Sequence, residues 1–132
     1  MRMERTVIAT AALLGLVACA HGNRQNTDEQ AISNDPVMLQ VTNDNSQDVD
    51  VFVTSGGKER QRLGMVTSGQ TQSFTVPSTA MHATNTLHVI VHPIGGGGDF
   101  STGPVNVSPG EQVQLHVAPV VNQTSYSVAQ AP

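Results

Sequence analysis

Residues 37–53 read Val37-Met38-Leu39-Gln40-Val41-Thr42-Asn43-Asp44-Asn45-Ser46-Gln47-Asp48-Val49-Asp50-Val51-Phe52-Val53. Val37, Leu39 and Val41 alternate with Met38, Gln40 and Thr42. An extended chain sends successive side chains to opposite faces, so this alternation gives one apolar and one polar face: a half-buried strand. Asn43 to Ser46 is turn chemistry, short polar side chains that bond nearby backbone. Val49, Val51 and Val53 then alternate with Asp48, Asp50 and Phe52, which predicts a second strand ending at Ser55-Gly56-Gly57.

The same period extends towards the C-terminus. Arg60 and Arg62 flank Gln61 in a more polar strand running to Val66, and Gln72, Phe74 and Val76 form a fourth that Pro77 stops. Leu87, Val89 and Val91 form a fifth, closed by Pro93. Val105 and Val107 lead to a Pro109-Gly110 turn, Val113, Leu115 and Val117 follow, and a short strand is read near Tyr126 to Val128. Short strands at regular spacing, with turn signals and no helical period, predict an all-β protein: a small antiparallel β-sandwich of about seven strands. No Cys…Trp…Cys spacing marks an immunoglobulin domain, so "Ig-like or transthyretin-like" is an architectural label. With 132 residues the chain suffices for one domain. The sandwich is expected over 36–128, with a frayed tail at 129–132.

The first residues read differently. Arg2 and Arg5 precede twelve uncharged residues, Val7 to Ala18. As a helix these reach about 18 Å, short of the ~30 Å hydrocarbon core, so they suit a signal-peptide h-region better than a membrane span. The stretch ends Leu16-Val17-Ala18-Cys19, then Ala20, with Cys19 the sole cysteine. This run resembles the lipobox of bacterial lipoproteins. The resemblance covers only the leader. It implies a signal peptide over 1–18, cleavage between Ala18 and Cys19, diacylglyceryl attachment at Cys19 and acylation of the new amino terminus. Several acyl chains would hold the protein on a membrane, at ~0.8 kcal/mol per buried methylene. In such lipoproteins Asp after the cysteine often signals inner-membrane retention. Ala20 therefore points to the outer membrane, facing the periplasm or the surface, if the source has two membranes.

Residues 19–35 are polar, with Ile32 the one large aliphatic side chain. They bury too little to offset the entropy of ordering, so a lipidated flexible tether is expected, spanning roughly 20–25 Å.

Composition narrows the chemistry. Six Lys and Arg against ten Asp and Glu give a net charge of -4, which argues against nucleic acid. Aromatics at 3% and no Trp weaken recognition by ring stacking. A single cysteine excludes an internal disulfide and a four-cysteine zinc site.

The candidate metal ligands are His88, His92 and His116, with Met38, Met65, Met81 and His82 as further donors. Residues four apart on a strand sit about 13 Å apart, so His88 and His92 cannot share one ion, and either needs His116 on a neighbouring strand. Half-exposed histidines on a polar face are the simpler reading. The oxygen-rich run Asn43 to Asp50 lacks the spacing, central glycine and terminal Glu of an EF-hand loop. Gly95-Gly96-Gly97-Gly98 lacks the Lys-Ser or Lys-Thr of a phosphate loop and reads as a floppy hairpin connection. Lys58, Arg60 and Arg62 form the one basic cluster, read as a charged edge strand that discourages sheet-to-sheet pairing.

No nucleophile elbow and no His-Glu-x-x-His is present, so no catalytic residue is assigned and an enzyme is not expected. No cofactor beyond the covalent lipid at Cys19 is expected. The expectation is a membrane-anchored envelope lipoprotein whose sandwich binds or scaffolds an envelope protein, with edge strands as contact sites. The alternatives are a metal or small-ligand carrier on the histidines and, third, a hydrolase with a site formed only in three dimensions.

Overall fold

The computed structural model of the protein describes residues 34–55, 59–81 and 85–132. The leader, Cys19, most of the tether, Lys58 and His82 lie outside them. Among the described residues nine strands form: β1 (Met38–Asn43), β2 (Val49–Thr54), β3 (Gln61–Val66), β4 (Thr71–Thr75), β5 (Thr86–Pro93), β6 (Phe100–Ser101), β7 (Val105–Asn106), β8 (Glu111–Val117) and β9 (Ser125–Gln130). They make two packed sheets. One has the order β4-β1-β8-β9; the other runs β3-β2-β5-β6, with β7 also on β5. The all-β sandwich read from the sequence is the fold.

The alternation found in the sequence is the burial pattern of the structure. Val37, Leu39 and Val41 from β1 and its approach, Val49, Val51 and Val53 from β2, Val89 and Val91 from β5, and Val113 and Val117 from β8 are all fully buried. Branched aliphatic side chains from the two inner faces fill the core, each contributing about 1.5–3 kcal/mol on full burial.

One pairing is parallel, β1 with β8; the other six are antiparallel. Both strands of that pair start at the end of the sandwich where residue 34 enters, here called the lower end. β6 and β7 together act as one broken strand along the free side of β5. Gly103, at φ 68°, interrupts it, and Thr102 bridges the gap. The Thr102 N–H donates to Val89 C=O at 3.0 Å, and the Val89 N–H donates to Thr102 Oγ1 at 3.1 Å. The expected frayed tail is instead partly drawn into the sheet. Ala129 pairs with Gln112 and Gln130 with Glu111, and the Ala131 N–H bonds Gly110 C=O at 3.1 Å. The cause lies in the backbone: β8 starts early enough to offer those residues ladder partners.

Two local features lock the sheets together. At the upper end Asn43 is fully buried, and its Nδ2 donates to Gln47 C=O at 2.9 Å and to Val66 C=O, across in the other sheet, at 3.0 Å. Its Oδ1 accepts from the Asn45 N–H, and Asn45 in turn donates to Ala118 and Pro119 carbonyls. Buried backbone groups must be paired, and these two amides pair the ones that the loops would leave open. Between the sheets, a Cβ on Gly64 would lie 2.7 Å from Phe74 Cε1. The ring of Phe74 therefore packs on bare backbone. A register shift between Val51 and Phe52, opposite Leu63, marks a bulge in β3 beside that contact.

Candidate functional site

The outer face of the β3-β2-β5-β6 sheet carries the charge. Alternation in β5 turns His88, Ile90 and His92 outward, opposite Thr54, Phe52 and Asp50 of β2. Arg62 sits opposite Phe52 and its Nη2 meets Asp50 Oδ1 at 2.5 Å. Asp99, at the foot of the four-glycine turn, is gripped from two sides. One oxygen lies 2.6 Å from His92 Nδ1, and the other accepts from Arg60 Nη1 at 2.8 Å. The His92 hydrogen bond, then that of Arg60, hold the Asp99 carboxyl below its ordinary value of 3.8. Arg60 and Arg62 thus each hold an acid rather than forming an open basic patch.

The outer face of the β4-β1-β8-β9 sheet is almost uncharged. Register rows place Gln40 beside Ser73, Gln114 and Ser127, and Thr42 beside Thr71, His116 and Ser125. Thr42 and Thr71 hydroxyls meet at 3.0 Å. His116 Nε2 lies 2.5 Å from Asp44 Oδ2 at the upper rim.

The candidate metal ligands are therefore not brought together. His88 and His92 lie on one outer face and His116 on the other, with the core between them. Among the described residues no group of three or more His, Cys, Asp or Glu could hold an ion. The acidic run does not converge either. Asp44 meets His116, Asp48 accepts from the Ser68 N–H, Asp50 meets Arg62, and the two asparagines serve backbone groups. Neither His92 nor His116 hydrogen-bonds a serine or threonine hydroxyl among the described residues. A cleft of about 500 Å³ opens at the lower end between Pro36, Pro77, Met81 and Pro109, and among the described residues its one ionisable lining residue is Asp35.

The feature that stands apart is an edge. β9 pairs with β8 over all six of its residues without a register shift, and nothing described pairs with its other side. Its sequence, Ser125-Tyr126-Ser127-Val128-Ala129-Gln130, has no charge and no proline. Tyr126 sits opposite Leu115 and Val128 opposite Val113, so both occupy the core side of the sheet. Yet they are 42% and 37% exposed. The facing sheet ends in the two short strands β6 and β7, too little to cover them. Charged residues, bulges or prolines are the usual protection of a sheet edge. The β3 edge has Arg62, with Arg60 just before it, and a bulge. The β4 edge, like β9, has none of these, but its core-side Phe74 is buried against Gly64, whereas the core-side residues of β9 are bare. Edge strands are contact candidates from the sequence alone, but the strand pattern does not single out this edge. The available signal was the period-two pair Tyr126 and Val128 in an uncharged segment, set against a facing strand broken at Gly103-Pro104.

No family model and no curated protein matches the chain. Among solved structures it is similar to an NMR structure of a protein from Eubacterium rectale, at 12% identity and a TM-score of 0.45, over 74% of this chain and 91% of that one.

Proposed function

We propose that the protein is a membrane-anchored envelope lipoprotein whose sandwich docks another protein by strand addition at β9. The observation that carries the docking is the open edge of β9, with Tyr126 and Val128 uncovered on its core side. A row of free backbone groups supplies affinity to an added strand, and alternate side chains supply selectivity. The anchor is supported by Leu16-Val17-Ala18-Cys19 after a short apolar run. With the lipid at Cys19, residues 20–35 would hold the sandwich just off the membrane, and Ala20 favours the outer membrane of a two-membrane cell.

Two measurements test the two halves. Radioactive palmitate should label the wild type and not Cys19→Ser; labelling of the variant overturns the anchor. A photo-crosslinking amino acid at position 126, in cells, should give discrete protein adducts that the same probe at Gln114 does not. Equal adducts at both positions, or none at 126, overturn docking at β9.

A further inference from the structure

We infer that the strand added to β9 is the β9 of a second copy of this chain, antiparallel and with Ser127 on the two-fold axis. The inference rests on the docking reading above and names its partner.

The phase of the ladder decides which backbone groups are free. Ala131 N–H bonds Gly110 C=O, and 131 with 110 continues the register that pairs Gln130 with Glu111. Hydrogen-bonded pairs alternate along an antiparallel ladder, so Ala129, Ser127 and Ser125 aim their N–H and C=O groups at β8. Tyr126, Val128 and Gln130 aim theirs at the open side.

Two copies related by a two-fold axis must pair residues of the same face. With Ser127 on the axis, Tyr126 of each copy lies opposite Val128 of the other, and the two residues exchange both backbone hydrogen bonds. This register also puts an aromatic ring beside a β-branched side chain twice, a favourable cross-strand combination. It packs the two side chains that the protein's own second sheet leaves bare laterally against those of the other copy. On the outer face Ser127 meets Ser127 and Ser125 meets Ala129, all small and neutral.

The charge distribution favours a copy over a foreign strand of opposite charge. The chain carries -4 overall, which repels its own kind, but the six residues of the seam contribute none of it. An isologous contact needs one self-complementary patch, and this strand is one.

The test uses the full-length chain in detergent, at about 100 μM. Analytical ultracentrifugation should find a dimer, and Val128→Lys should weaken it roughly tenfold or more, with unchanged circular dichroism. Non-hydrogen-bonded partners on an antiparallel axis have Cα atoms about 4.5 Å apart, within disulfide reach. Under mild oxidation Ser127→Cys should therefore cross-link 127 to 127 by peptide mapping, and Ser125→Cys should not cross-link to itself. Mixed with Ala129→Cys, it should. A wild type that stays monomeric, or Ser125→Cys self-linking as fast as Ser127→Cys, overturns the inference. If the wild type is monomeric while the probe at 126 still traps a different protein, docking at β9 stands and self-pairing falls. If that probe traps nothing, both fall.

Discussion

At the scale of single residues, the asparagine at the end of β1 matters more than its polarity suggests. The Asn43-Asp44-Asn45-Ser46 turn is legible in the sequence as turn chemistry. That Asn43 is fully buried and ties two sheets is not, because its partner Val66 is 23 residues away and pairing at that distance leaves no local mark. Asn43→Ala removes two donors from buried carbonyls and should cost about 2–4 kcal/mol in urea unfolding. Asn43→Asp should cost more, since it turns a carboxylate towards those same oxygens. The Asp99 site gives a different kind of prediction. The folded pKa lies below 3.8, so whatever stability Asp99 supplies is complete above 3.8 and is lost as pH falls through the depressed value. The group is exposed, so the effect on stability is small and the direct readout is its carboxyl resonance in an NMR titration. His92→Ala should move that titration upward more than Arg60→Ala does, because the His92 hydrogen bond is the larger cause.

At the scale of elements, the period-two pattern identified nearly every long strand, since side-chain parity is a local property of an extended chain. It could not say which sheet a strand joins. Parity puts His88, His92 and His116 outward, yet His116 faces away from the other two because β5 and β8 belong to different sheets. Strands β6 and β7 escaped a full reading because two residues are too few to show a period. β3 shows parity failing for a visible reason. Its bulge at Leu63 turns Gly64 inward, where the ring of Phe74 occupies the space of a side chain. Gly64→Ala should therefore cost about 1–3 kcal/mol in thermal or urea unfolding. Met65→Ala, one residue on and 41% exposed, should stay within roughly 0.5 kcal/mol. Equal effects at the two positions would show that Phe74 yields easily.

At the scale of the whole molecule, the sandwich is asymmetric in its protection. One sheet meets solvent with paired charges and a guarded β3 edge; the other presents a neutral Ser, Thr and Gln face bounded by the bare strand β9. The two ends of the fold differ as well. At the upper end the asparagines stitch the loops. At the lower end one residue, Gly110, holds both the entering and the leaving chain: its N–H donates to Asp35 C=O and its C=O accepts from the Ala131 N–H, each at 3.1 Å. Residues 35 and 131 therefore flank the start of β8, about 10 Å apart at two strand spacings. A linker of four or five residues, at ~3.3 Å each, would join them. The chain could then be reopened between Gly96 and Gly97, in a turn with no core side chain, with every ladder kept. Such a circular permutant of residues 35–131 should melt in a single cooperative transition by circular dichroism, and a broad or multistep melt would show that the native order of synthesis matters. In folding terms the sandwich is a closed circuit, and its cut point is a choice rather than a requirement.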